Sequence, residues 1–178
     1  MVDAFSQYAK PPQIQKAPLD LNELIQDTLS LYQNGQAVIE FVPDTNLPVV
    51  DVDAGRLRQV LHNVFKNALE AQETRPQLEV MTRGGLSGES EWVEIIAKDY
   101  GPGLPEDMST SLFEPYVTTK AKGTGLGLAI VKKIVEEHNG MVSLENHDAG
   151  ACVTIRLPVA DSTVSPLKEA VRTAAVTH

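Results

Sequence analysis

A glycine cluster opening directly into an amphipathic helix places the strongest constraint on this chain. Gly123-Thr124-Gly125-Leu126-Gly127 is followed from Leu128 by apolar residues at Ala129, Ile130, Ile134 and Val135. These recur at close to a 3.6-residue spacing, with Lys132, Lys133, Glu136 and Glu137 on the other side. His138-Asn139-Gly140 reads as the helix end, where Asn or Gly can take a left-handed cap. Glycine lets backbone N–H groups approach a bound group, and the first turn of a helix leaves several N–H groups without partners at the positive end of its dipole. The combination is an anion site. Lys120 and Lys122 lie just upstream, on a loop able to fold over a phosphate. The same residues would also serve as a flexible loop ahead of a core helix, and a glycine cluster alone does not choose between the two.

The charge balance narrows the partners. A net charge of -9 argues against broad contact with nucleic acid, so an anionic ligand needs a positive field built locally from amides, lysines and a metal ion. The 178 residues suffice for one domain with a proper core and a tail at either end. No run approaches the roughly 18 apolar residues of a membrane span, and the opening residues lack a signal-peptide pattern, which predicts a soluble domain. The single cysteine, Cys152, lies in an apolar strand-like run and reads as a buried structural thiol.

A second informative stretch runs from Asp53 to Ala71. Leu57, Val60, Leu61, Val64, Phe65, Ala68 and Leu69 make one apolar face of a long helix. Asn63, Asn67 and Glu70 share a stripe along its edge. Asparagine is a poor helix former, so two in mid-helix need a reason: they are solvated amides, or they offer a hard oxygen ligand to Mg²⁺. Farther on, the strand Trp92–Ala97 leads into Asp99-Tyr100-Gly101-Pro102-Gly103. Asp99 can accept a hydrogen bond there and the glycines let a flat ligand approach the backbone, although a plain Asp-initiated turn has the same pattern.

The remaining elements read as scaffold. Val2 to Lys10 suits the last turns of a helix stopped by Pro11-Pro12, and Gln13 to Pro18 follows as a linker. Asp20 and Glu23 start a helix that ends at Asn34-Gly35. Val38–Val42 and Pro48–Val50 read as extended pieces, and Leu78–Met81 pairs with Trp92–Ala97 across Gly84-Gly85 and Gly88. Met141–Leu144 and Cys152–Leu157 form an antiparallel pair around Asn146 to Gly150. Val159 to His178 is expected to be a weakly ordered tail. The pattern by itself gives an α+β class.

Taken in order, Asn63-x-x-x-Asn67, Asp99-x-Gly101-x-Gly103, Leu112-Phe113-Glu114-Pro115 and Gly123-x-Gly125-x-Gly127 resemble the N, G1, F and G2 boxes of sensor histidine kinases. These belong to the ATPase superfamily that includes DNA gyrase, MutL-type repair proteins and the heat-shock chaperone ATPases. The resemblance spans Leu19 to Leu157, and the run from Phe113 to Lys120 into the glycine cluster looks especially like the nitrogen-regulation NtrB and NtrY group. It implies a two-layer α/β sandwich of the Bergerat type, a mixed sheet of about five strands covered on one face by about three helices. It also implies a division into 1–18 as the end of a truncated dimerisation hairpin helix plus linker, 19–158 as the catalytic ATP-binding domain, and 159–178 as the tail.

By that resemblance the ligands are ATP or ADP with Mg²⁺. Asn67 would coordinate the metal and Asn63 would sit beside the phosphates. Asp99 would accept the adenine amino hydrogen, with Gly101 and Gly103 lining the base. Pro115 to Lys122 would be the lid, Lys120 and Lys122 adding charge, and the amides of Gly123, Thr124, Gly125, Leu126, Gly127 and Leu128 would hold the phosphates. In the hydrolysing branches a glutamate stands where this chain has Asn63, so strong ATP hydrolysis is not expected. The γ-phosphoryl group would pass instead to a histidine on a separate hairpin of the parent kinase, and onward to a response regulator. His62, His138, His147 and His178 do not fit the phosphoacceptor setting, which predicts no phosphorylation in cis. A monomeric, cytoplasmic catalytic domain is expected, from a parent able to be membrane-anchored. One departure concerns Glu70, where many relatives carry a basic residue; Lys66, four residues earlier, is its expected partner. The alternatives are an ATP-hydrolysing member of the superfamily and a nucleotide-sensing docking module without phosphotransfer.

Overall fold

The computed structural model describes residues 13–88, 90–105, 111–115 and 127–159. In chain order they form β1 (Ala17–Leu19), α1 (Leu21–Ser30), β2 (Val38–Val42), β3 (Val50–Val52), α2 (Ala54–Glu70), β4 (Gln77–Ser87), β5 (Ser90–Asp99), a 3-10 turn at Ser111–Phe113, α3 (Gly127–Glu137), β6 (Met141–His147) and β7 (Gly150–Pro158). The longer strands make a mixed sheet in the order β2-β4-β5-β7-β6, parallel only between β2 and β4. The buried stripes of all three helices pack with one face of that sheet in a single apolar core, from Leu21 and Ile25 through Leu61 and Phe65 to Val131 and Val135. This is the α+β two-layer sandwich that the sequence implies.

Helix α2 is set by its ends as much as by its stripe. Asp53 Oδ1 accepts the Arg56 N–H at 3.2 Å as the N-cap, and Asp53 Oδ2 accepts the Gln15 N–H at 3.0 Å. The Gln15 bond, with lesser help from the Arg56 N–H and charge, outweighs the opposing effect of burial and holds the Asp53 carboxyl below the usual carboxylate range. A carboxyl lowered on folding stabilises fully above its unfolded value of about 3.9, and that stability is lost as pH falls through the folded value. Asp53→Ala is therefore expected to cost about 1 kcal/mol at neutral pH. In thermal melts the gap from the parent chain should narrow well below pH 4; a gap unchanged there would mean that the charged cap contributes nothing.

The same end of the helix layer is closed by the C-terminus of α3, where Glu137 pairs with Arg56. Asn139 takes the left-handed conformation at φ 58°, and the Asn139 and Gly140 N–H groups donate to Glu136 O and Val135 O, each at 2.9 Å, as the sequence anticipates. His138 is buried behind this turn. Its Nδ1 donates to Ile134 O at 2.7 Å, so Nε2 is the acceptor for the Asp53 N–H at 3.0 Å.

On β5, Val93, Ile95 and Ala97 face the core, while Glu94 points to the other side of the sheet. Glu94 is nonetheless buried, because Arg83 of β4 and Arg156 of β7 stand opposite it in register and both pair with it. Burial alone would raise its carboxyl; the hydrogen bonds from Arg156 and Arg83 outweigh that and hold it low. Arg156 also lies 4.3 Å from the Trp92 ring centroid. Cys152 is half-buried, and burial pushes its thiol up, as suits an inert structural residue.

Four expectations change. Ala17 and Pro18, read as linker, join Leu19 in a strand antiparallel to β3, Ala17 opposite Val52 and Leu19 opposite Val50. The extended piece near Pro48–Val50 falls two residues later, where β1 supplies a partner. Gly84 and Gly85 are not the turn: they pair with Val93 and Trp92 inside the hairpin, whose turn lies at Gly88 with φ 62°. The Trp92 indole fills the space that a side chain on Gly85 would need. Val159, assigned to the tail, is buried and donates its N–H to Glu91 O at 2.9 Å. The expected helix at Val2–Lys10 and the rest of the tail lie outside the described residues.

Candidate functional site

Two walls meet α2, one at its middle and one at its C-terminal end, and each starts from an element described above. The first is where α3 begins against the middle of α2. A Cβ atom on Gly127 would stand 3.7 Å from Asn67 Nδ2 and 4.0 Å from Asn63 Oδ1. The first turn of α3, with its N–H groups and positive dipole end, therefore opens beside two neutral amides. Leu128 follows into a small apolar cluster with Leu112, Leu144 and Ala151, joined by Leu104, Phe113 and Val153. Glu70 is turned to solvent and lies 3.8 Å from Lys66 Nζ, the partner the sequence offers; at this exposure the pair contributes only a few tenths of a kcal/mol.

The second wall is the loop that leaves β5. Asp99 is buried, and its Oδ1 accepts the Gly101 N–H at 3.1 Å and the Ala151 N–H at 3.0 Å. Its Oδ2 accepts no hydrogen bond from the described residues, which leaves one carboxylate oxygen oriented and available. A Cβ on Gly101 would be 3.0 Å from Ala71 O at the end of α2, so the loop is pressed against the helix that carries the asparagines. Gly103 has φ 78°, and a Cβ there would lie 2.8 Å from Asn146 Oδ1. The loop thus needs glycine at 103 for its own geometry, independently of any ligand.

Three residues that sequence reasoning missed hold this wall from behind. Asn146 bonds both backbone groups of Leu104: Oδ1 accepts the N–H at 2.7 Å and Nδ2 donates to the carbonyl at 3.0 Å. His147, expected in a turn, is the last residue of β6, and its Nε2–H donates to Asp99 O at 2.6 Å. Gly150 lies so close to Asp99 that a Cβ would strike the carbonyl oxygen and come within 2.7 Å of Oδ1. Of the candidate residues, Asn63, Asn67, Gly127 and Leu128 come together at the first wall and Asp99, Gly101 and Gly103 at the second. Lys120, Lys122, Gly123, Thr124, Gly125 and Leu126, with the lid from Tyr116 onward, lie outside the described residues.

An acidic oxygen on one wall can accept from a flat polar group, and a helix N-terminus with amide side chains on the other can hold an anion. Residues 52–161 match the family described as histidine kinase-, DNA gyrase B- and HSP90-like ATPases, and the chain belongs to it. Within that family it groups with sensor histidine kinases. It is 39% identical over 165 residues to the nitrogen regulation protein NtrY of Azorhizobium caulinodans, a match covering 88% of this chain and 21% of NtrY. It is 35% identical to the sensor histidine kinase ZraS of Escherichia coli, covering 89% of the chain and 34% of ZraS. With the histidine kinase/phosphatase NtrB of Rhizobium leguminosarum it shares 31% identity, over 89% and 45%. The chain thus spans less than half the length of these relatives. Among solved structures, the catalytic domain of histidine kinase ThkA superposes with a TM-score of 0.69 at 30% identity, over 81% of this chain and 95% of that one. No helix among the described residues is long and apolar enough to cross a membrane.

Proposed function

We propose that this chain binds Mg-ATP between the two walls and presents the γ-phosphoryl group to a histidine on a separate helical hairpin. The observation that carries the reading is the meeting of the α3 N-terminus with Asn67 and Asn63, which unites an anion site with neutral amide ligands. Asp99 Oδ2 accepts the adenine amino hydrogen, Oδ1 being held by the Gly101 and Ala151 amides. Gly101 and Gly103 let the base lie along the loop. The glycine cluster from Gly123, through Leu128, supplies phosphate-binding amides, and Lys120 and Lys122 add charge from the lid.

The donor set fits the metal as well as the nucleotide. Asn67, beside the first turn of α3, would offer the hard oxygen that Mg²⁺ accepts alongside phosphate oxygens. When bound, the ion neutralises developing charge on the phosphates. Asn63 stands where a hydrolysing relative would carry a base, and an amide cannot activate water. Phosphoryl transfer by positioning and charge neutralisation is therefore favoured over hydrolysis.

The hairpin is supplied by the parent kinase, and a response regulator is the later acceptor; ThkA has been solved in complex with the response regulator TrrA. The described histidines support an external acceptor, because each is engaged: His62 with Tyr32 at 2.8 Å, His138 between two backbone groups, and His147 on Asp99. This supports an acceptor histidine other than these three.

Calorimetric titration with ADP and with a non-hydrolysable ATP analogue, each with and without Mg²⁺, tests the site. Binding should strengthen with Mg²⁺, and Asn67→Ala should remove that gain while metal-free ADP still binds through Asp99. No heat with any nucleotide would overturn the reading, and equal loss with and without Mg²⁺ would make Asn67 structural. Transfer to an isolated histidine hairpin then separates a kinase from a docking module, which would bind nucleotide and transfer nothing.

A further inference from the structure

We infer that Asn146 and His147 are positioning residues that set the base preference of the site, by clamping the two ends of the Asp99–Leu104 loop from the outer hairpin of the sheet. The inference rests on the nucleotide reading above. Asn146 and His147 are consecutive, at the end of β6, where the strand pairs with Ala151 and Gly150 of β7. Consecutive strand residues point to opposite sides, so one strand end can reach both ends of a loop that passes across it. The Asn146 amide closes a two-bond ring with the Leu104 backbone. The His147 ring bonds the Asp99 carbonyl and rests edge-on against Tyr100, with centroids 5.6 Å apart at 85°.

The chemistry of each contact is directional. The Asp99 carbonyl can only accept, so His147 Nε2 carries the proton, and Nδ1 is left to accept the Ala149 N–H at 3.3 Å. The imidazole therefore ties the backbone of Asp99 to the β6-β7 turn. That turn returns directly to Ala151, whose N–H fixes Asp99 Oδ1. Both backbone and side chain of Asp99 are thus referred to one hairpin, and the direction of Oδ2 follows from it. At the far end of the loop, Gly103 at φ 78° has no Cβ to keep Asn146 Oδ1 away from the backbone. Neither side chain needs to touch the nucleotide. Their effect is to fix the acceptor that tells an amino group from a carbonyl on the base.

The test compares ADP with IDP, which replaces the base amino group by a carbonyl, in titrations of the whole chain. Asn146→Ala and His147→Ala should each reduce the preference for ADP over IDP by roughly tenfold, the size expected from losing one or two oriented hydrogen bonds. The strengthening by Mg²⁺, which belongs to the other wall, should stay as in the parent chain. His147→Gln, which keeps an N–H where Nε2 stood, should restore most of the preference; a role in stability alone would not give that recovery. Should Asn146→Ala fail to fold, the His147 pair carries the comparison. An ADP preference unmoved in the alanine variants, with the parent chain binding normally, would overturn the clamp and leave the nucleotide site standing. A parent chain that binds neither nucleotide would overturn the site itself, and the clamp with it.

Discussion

Asp99→Asn is expected to weaken ADP binding by roughly a hundredfold while leaving the fold intact. The substitution keeps the shape of the side chain. Its amide oxygen takes the place of Oδ1 and goes on accepting the Gly101 and Ala151 N–H groups, so the loop retains both of its internal bonds. The place of Oδ2 becomes an NH₂ group, which meets the adenine amino group donor to donor. Losing one buried hydrogen bond and leaving both groups unsatisfied accounts for most of the expected effect. IDP should gain relative to ADP, because its carbonyl can accept from the new amide. Parallel titrations of the two nucleotides read both changes, and a variant that binds ADP like the parent chain would remove Asp99 from the base site.

Gly150→Val should be the most damaging single change to the fold near the site. Its Cβ would collide with the Asp99 backbone carbonyl oxygen and press on Oδ1, which two backbone N–H groups hold in place. Overpacking of this kind costs about 3 kcal/mol, which for a domain of this size lowers the melting temperature by roughly 10 °C. The bonds from His147 and Ala151 to Asp99 would be displaced together, so nucleotide binding should fall even below the new melting point. Thermal melting and ADP titration of the variant check the two effects. A melting temperature within a degree or so of the parent's would show that the hairpin yields and that the contact is not tight.

What the sequence makes legible is what repeats locally. The apolar positions of α2 recur with the helical period, so its buried face can be written down before the fold is known, and Asn63 and Asn67 are then placed along its edge. The Asp99 loop and the glycine cluster are legible as short motifs whose chemistry is carried by adjacent residues. By contrast, β1 is three residues long and exists only because β3 pairs with it. Gly85 looks like a turn until Trp92 comes to lie across it from the opposite strand. The residues behind Asp99 are hidden for the same reason. Asn146, His147 and Ala151 meet the loop across 42 to 52 residues of chain. Nothing in the local spelling of Glu145-Asn146-His147 announces that encounter. The open face of the sheet adds a further case, since the strand around Glu94 does not name its partners and Glu94 is buried by two arginines from neighbouring strands.

The division of the apolar interior into two unequal parts bears on how the molecule can loosen. The large core joins all three helices to the sheet, whereas Leu112, Leu144 and Ala151 form a separate small one beside the start of α3, with Val153 touching both. The free energy of opening a region scales with the apolar surface it must expose. Three buried side chains set a low threshold for parting the Leu112–Phe113 turn from Leu128, while the apolar stripe of α2 stays anchored in the larger body. Amide hydrogen exchange near Leu112 and Leu128 should therefore run faster than in the large core, and equal protection in the two would show that they open as one.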